Sequence, residues 1–387
     1  MFADRTHWSL TPNRLSAALE GRRSRGEPVL DLTASNPTTC GFVYDREAIL
    51  RALADPGSLT YTPDPRGLAT ARQAVATYYA ERGATVAADD IFLATSTSEA
   101  YSWVFRILCD PGDALLIPAP SYPLFGFLAD LQDVQLVHYP LLYDHGWQMD
   151  FPSMQKVVTK RTRGVVVVHP NNPTGSYVHA QEQEALNRFC LEHRLALIAD
   201  EVFLDYAHDR ASNRSFAANR EVLTFTLSGV SKISALPQMK VAWIAASGPG
   251  AEVKAAQARL EVIADTYLSM NAPIQWATPA LLEQRHTIQQ QLLDRVLANL
   301  AEFDRQLAEQ KVCERLSVEG GWYAVLRVPV TQTDEELAVD LLRRMSVLVH
   351  PGHFYDFPSD GYLVLSLIGP QTEFGEAVRR VLELMNL

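Results

Sequence analysis

Short apolar runs recur through the first two thirds of the chain, at 91–94, 114–117, 135–139, 164–169, 195–199, 222–227 and 241–246. Most are apolar throughout, the pattern of strands buried on both faces of a parallel sheet. Between them, apolar residues return every three or four positions, notably over 67–81, 98–108 and 180–193. Strand and helix alternating at this spacing predict an α/β domain, a mostly parallel seven-stranded sheet wound with helices.

The texture changes from about Ala272. Residues 279–310 read as one long helix, with Thr278 as N-cap and Pro279 at its first position. A strand near 323–328 follows, then a helix opened by a capping box, Thr333-x-x-Glu336. A strand pair at 347–350 and 362–367 and a last helix from Gln371 complete a smaller α+β region.

Composition narrows the function. With 47% apolar residues in 387, the chain supplies a large core, which excludes intrinsic disorder and dependence on disulfides. Asp plus Glu number 45 against 34 Lys plus Arg, a formal charge of −11. So acidic a chain is a poor general binder of nucleic acid or anionic membrane, although a local basic site could hold a small anion. Cys40, Cys109, Cys190 and Cys313 are scattered singly, with no CxxC pair, and no metal site is expected. The N-terminus lacks an apolar signal region, and the charge-free stretch 114–129 is interrupted by Pro118, Pro120 and Pro123. A cytoplasmic protein is expected.

Ligands of open α/β sheets bind beyond the carboxyl ends of the strands. Just past each predicted strand stand Thr95-Ser96-Thr97-Ser98, Pro120-Ser121-Tyr122-Pro123, Asn171-Asn172-Pro173-Thr174-Gly175, Asp200-Glu201 and Ser231-Lys232. One edge thus collects a helix start suited to an anion, an aromatic ring, an amide, a carboxylate and a lysine. Pyridoxal phosphate requires that set: a lysine for the Schiff base, a carboxylate for the pyridine nitrogen and amides for the phosphate. Singly the pieces are bland, since NNPTG is turn chemistry and Asp200 or Thr97 could merely cap a helix.

In order along nearly the whole chain, the motifs YTPDPRG (61–67), PGD (111–113), PSYP (120–123), HPNNPTG (169–175), DEVF (200–203), Ser231-Lys232 and PGHF (351–354) resemble those of fold-type I aminotransferases of class I/II. The resemblance implies a pyridoxal-phosphate enzyme moving an amino group between an amino acid or amine and a 2-oxo acid by a ping-pong cycle. It implies Lys232 as the Schiff-base lysine and proton carrier, Asp200 on the pyridinium nitrogen, Asn172 on the ring O3′ and Tyr122 stacked on the ring. Ser96, Thr97, Ser98, Ser231 and Lys240 would meet the phosphate. Tyr61 would reach the cofactor of a second subunit, which implies a homodimer with shared sites. It also implies two domains, 46–275 binding the cofactor and a small one from 1–45 and 276–387.

Five positions depart from the family pattern. His169 stands for an asparagine, Gly229 for a serine (with Ser228 as a possible substitute), Lys240 for an arginine and Phe203 for a tyrosine. Val364 occupies the place of the arginine that clamps the substrate carboxylate, a role valine cannot fill. Arg66, His353 and the backbone around Asn36 are the candidate replacements. A C–S lyase, decarboxylase or cyclising enzyme on the same fold is the alternative chemistry. An aminotransferase-like regulatory domain is disfavoured by the acidic charge and by the short segment before the large domain.

Overall fold

The computed structural model describes residues 1–209 and 214–386. A short strand, β1 (Leu30–Asp31), precedes the principal sheet. That sheet contains β2 (Ile91–Ala94), β3 (Ala114–Ala119), β4 (Gln135–Tyr143), β5 (Trp147–Met149), β6 (Thr162–Val168), β7 (Ala196–Asp200), β8 (Thr224–Gly229) and β9 (Ala242–Ser247). Their spatial order is β2-β9-β8-β7-β6-β3-β4-β5. Neighbours from β4 through β3, β6 and β7 to β8 run parallel, whereas β9 is antiparallel to both β8 and β2.

β7 and β8 are buried along their whole length and β6 at every residue but Arg163, which explains their largely apolar runs. Four successive valines, Val165–Val168, illustrate the point: β-branched side chains fit a pleated surface covered on both sides. Register aligns Val168 of β6 with Asp200 of β7, and Asp200 with Leu227 of β8. The order reverses between β3 and β6, creating the crevice at their carboxyl ends where ligands of such sheets lie.

The second sheet is antiparallel: β10 (Glu314–Arg315), β11 (Tyr323–Arg327), β14 (Tyr362–Ser366) and β13 (His350–Pro351), in that spatial order. Between them in sequence, β12 (Val347–Leu348) pairs in parallel with β1, so the two ends of the chain meet. Leu15, Leu32 and Cys40 share one core cluster with Leu292, Val325, Leu363 and Val378.

Three expectations change. The principal sheet has eight strands, because 147–149 folds back on β4 as a three-residue edge strand too short to show alternation. The stretch 347–350 divides, β12 joining β1 and β13 joining β14. The long helix of 279–310 is two helices, Ala272–Glu283 and Arg285–Leu307. Asn271 is the cap of the first, accepting from the Ile274 N–H, and Pro273 lies in its opening turn. Thr278 is interior, donating its hydroxyl to the Ile274 carbonyl, and Pro279 is carried within the helix.

Candidate active site

At the carboxyl edge of β3, β6, β7 and β8 lies a cavity of about 320 Å3. Thr97, Tyr122, Asn172, Asp200, Phe203, Ser231 and Lys232 line it from the principal sheet side. Tyr323, His350 and Tyr355 line it from the second sheet, and Ser35 from the segment after β1.

Asp200 ends β7 and is buried. The Val202 N–H donates to its Oδ1 at 3.1 Å, and the Tyr101 hydroxyl donates to its Oδ2 at 3.0 Å. Burial still pushes the Asp200 carboxyl up to about 6, against these hydrogen bonds and the nearby Lys232 charge, which favour the ionised form. A cationic ring nitrogen brought beside it would restore the carboxylate. Lys232 sits in the short helix Val230–Ile233 directly after β8, and its carbonyl accepts the Tyr206 hydroxyl at 2.6 Å. Its Nζ lies 4.8 Å from the Trp322 ring centroid and 5.4 Å from that of Phe203. Burial among such groups pushes the amine down to about 8, opposed by Asp200. A neutral, nucleophilic amine is therefore accessible near neutral pH.

Helix Thr97–Leu108 starts at the cavity. Ser96 caps it, its Oγ accepting the Glu99 N–H at 3.2 Å, which leaves the hydroxyl proton free to donate. The Glu99 carboxylate reaches back to accept the Thr95 N–H at 2.6 Å. Ser98 lies on the same first turn, where backbone N–H groups favour an anion. Asn172 is buried on the cavity wall, and its Oδ1 has no hydrogen-bond partner among the described residues. An unpaired buried amide is costly unless a ligand engages it, and toward a ring oxygen the donor would be Nδ2–H. A helix start with Thr97 and Ser231 hydroxyls, an unpaired amide, a buried carboxylate and a nucleophilic amine together fit pyridoxal phosphate.

Other residues singled out in the sequence stand elsewhere. The Arg66 guanidinium is committed to Glu261 (2.8 Å) and to the Asp89 carbonyl (2.6 Å), with Phe92 beneath it. Asn36 folds its Oδ1 onto the Thr38 N–H and hydroxyl, capping its own turn. His353 is exposed against Phe354 and does not line the cavity. Lys240 is also exposed, in a left-handed turn after Pro237–Met239. Tyr61 is 77% exposed and away from this wall.

The departures have physical reasons. A Cβ on Gly229 would lie 2.6 Å from the Val241 carbonyl, so the close approach of β8 and β9 excludes serine there. Ser228 does not substitute, because its buried hydroxyl donates to the Glu201 carbonyl. His169 is buried and held neutral, pushed down to about 4 by burial. Its Nδ1 accepts from the Val178 N–H, which leaves Nε2–H to donate to the Arg214 carbonyl. Phe203 packs edge-on to Trp322 and Tyr323 beside Lys232. Gly175, at φ +69, ends the NNPTG turn where a side chain would strike the Gly320 carbonyl.

Sequence reasoning missed Tyr101, His350, Tyr323 and Tyr355, while Ser35 belongs to the stretch around Asn36 already singled out. Tyr101 reads as a core aromatic of an amphipathic helix. The others need the second sheet to be placed before they meet the first.

The model for "Aminotransferase class I and II" matches residues 27–381. The alanine aminotransferase of Mycobacterium tuberculosis is 29% identical over 374 residues, covering 92% of this chain and 86% of that protein. The glutamate–pyruvate aminotransferase of Haemophilus influenzae is 26% identical over 366 residues, covering 92% and 90%. Among solved structures, an alanine aminotransferase from Pyrococcus furiosus superposes with a TM-score of 0.91 at 22% identity, covering all of both chains. An Escherichia coli aminotransferase gives 0.89 at 23% identity, covering 100% and 98%. With motif order, fold and family model in agreement, this chain belongs to the class I and II aminotransferases and is a pyridoxal-phosphate-dependent enzyme.

Proposed function

We propose that this aminotransferase takes a small neutral α-amino acid as donor, alanine being the type case, and works with the corresponding 2-oxo acids. The charge on the cavity wall carries this reading. Among the described residues, the wall has only Lys232 and His350 as basic groups, and no arginine to hold a second carboxylate. The aromatic side chains of Tyr122, Phe203, Tyr323 and Tyr355 confine a space of about 320 Å3 that cofactor and substrate must share. The alanine and the pyruvate in the names of two relatives support the same class.

Bound pyridoxal phosphate supplies an electron sink for charge developing at the substrate α-carbon. Lys232 Nζ would hold the cofactor and would carry the α-carbon proton. Asp200 keeps the ring nitrogen protonated, with Tyr101 and the Val202 N–H holding the carboxylate in place. Asn172 donates to the ring oxygen and Tyr122 covers the ring face. Thr97, Ser96, Ser98 and Ser231 would hold the phosphate, whereas exposed Lys240 is not assigned to it. Arg66 and His353 are not assigned to substrate, since Arg66 is committed to Glu261 and Asp89 and His353 is exposed, while the backbone around Asn36 adjoins Ser35 on the cavity wall.

The working unit in this reading is a homodimer in the cytoplasm. Leu59 (92% exposed) and Tyr61 are exposed on one segment and Tyr267 and Leu268 on another, and the Asp64 N–H ties the two segments by donating to Ser269 Oγ. Such an apolar surface suits a second copy, whose cofactor phosphate Tyr61 would reach. The four free cysteines suit a reducing compartment. The small domain, 1–45 with 276–387, is supported by the core that Leu15 and Leu32 share with Val325 and Leu363. Helix Ala272–Glu283 links it to 46–275, since Leu281 and Leu282 join the core around Trp243.

The test is a single-turnover reaction of the holoenzyme with L-alanine or L-aspartate, following the cofactor's visible band. Alanine should react at least about tenfold faster at equal concentration. Preference for aspartate would overturn the donor class.

A further inference from the structure

Val364 leaves the carboxylate of an α-amino acid without its guanidinium, yet the register of the second sheet shows what stands across from it. On β13 and β14, His350 pairs directly with Val364. On β11, Val325 pairs with Val364 and Tyr323 with Ser366. Cross-strand partners and alternate residues share a face, so Tyr323, Val325, Val364, Ser366 and His350 all project to one side. That side is the cavity, because Tyr323 and His350 line it together with Lys232.

The imidazole is arranged to present one donor. Its Nδ1 lies 3.0 Å from the Tyr355 hydroxyl, while Nε2 has no protein partner among the described residues. With the Tyr355 hydroxyl donating to Nδ1, the remaining proton sits on Nε2. Among the described residues His350 and Lys232 are the basic groups of this wall, and Lys232 is engaged in the chemistry.

We propose that His350 is a substrate-positioning residue that holds the α-carboxylate through Nε2–H, in the place vacated by the arginine-to-valine departure at Val364. Tyr355 fixes the imidazole from behind, and the Tyr323 phenol stands beside it on the same sheet face. A single hydrogen bond replaces the bidentate fork, so the site tolerates amines lacking a carboxylate better than a guanidinium clamp would. This assignment rests on the donor class proposed above.

The experiment uses holoenzyme, wild type against His350→Phe and His350→Gln, with the visible cofactor band confirming a loaded, folded site. Binding of propionate, an unreactive carboxylate, is measured by calorimetry. Single-turnover rates are measured with L-alanine and with isopropylamine, which has a methyl in place of the carboxylate. His350→Phe should weaken propionate about tenfold or more and lower the alanine-to-isopropylamine rate ratio by a similar factor, leaving isopropylamine itself unchanged. His350→Gln, which keeps a donor, should restore much of the ratio. Unchanged propionate binding in His350→Phe would overturn the assignment and place the carboxylate on another group, an arginine of a second subunit included. Equal losses for alanine and isopropylamine would make His350 structural and overturn it too. Propionate binding that depends on His350 in an enzyme converting neither donor would sustain this assignment while removing the donor class.

Discussion

Burial acts in opposite senses on the two ionisable groups that share the cavity wall, raising the Asp200 carboxyl and lowering the Lys232 amine. For Lys232 the neutral form becomes dominant above about pH 8, well below the usual range of a lysine. Uptake of pyridoxal phosphate by the cofactor-free protein should therefore accelerate between pH 6 and about 8 and level off above it. Stopped-flow absorbance measures this, and a rate still climbing at pH 10 would contradict it. Tyr101→Phe removes one of the two hydrogen bonds that hold Asp200 ionised. It should cost ~1–2 kcal/mol of stability and weaken cofactor binding, read from thermal melting and titration. At this scale the sequence was legible where a residue ends a strand of the principal sheet, as Asp200 does, or stands in the turn of helix directly after one, as Lys232 does. It was illegible for His350, three positions from the candidate His353. A side chain's direction there depends on strand register that apolar content alone does not encode.

Elements were legible in proportion to their length and burial. The fully apolar central strands announce themselves, whereas the three-residue β5 does not. The break near Gln284 was hidden because Thr278-Pro279 is a good helix start that here lies inside a helix already begun at Asn271. Competing signals of equal local quality were decided by packing, with Ile274, Ala277 and Leu281 buried against the principal sheet's core. Gly229 shows the reverse dependence, an element fixing a residue: the approach of β9 leaves no room for a side chain. Gly229→Ser should destabilise the protein by ~1–3 kcal/mol, lowering the melting temperature, despite restoring the family's residue. A variant as stable as the parent would show that β8 and β9 can part without cost.

At the scale of the whole molecule, adjacent buried acids on β7 and the turn after it couple folding to pH. Burial raises Asp200 to about 6 and Glu201 to about 7, each above its unfolded value. Between about pH 4 and 7 the folded protein then binds more protons than the unfolded chain, so stability falls as pH rises. Each group contributes on the order of 3 kcal/mol to that fall in the cofactor-free protein. Glu302 and Glu376 oppose it, but their ion pairs lie at the surface and are screened by solvent. Urea unfolding of wild type and Asp200→Asn across this range isolates the Asp200 share, and parallel curves would contradict it. Composition had pointed only to an acidic chain with a large core. The principal sheet, its motif order and the family were legible because one edge gathers the chemistry. The substrate end was not, because it depends on how the second sheet, residues 314–366, is laid against a principal sheet formed more than sixty positions earlier.

Lys232 is the residue proposed to hold the cofactor. Borohydride reduction of the holoenzyme followed by peptide mapping tests it most directly. The reduced cofactor should be recovered on the peptide containing Lys232 and lost in Lys232→Ala together with the visible band. Its recovery on any other lysine would contradict the account.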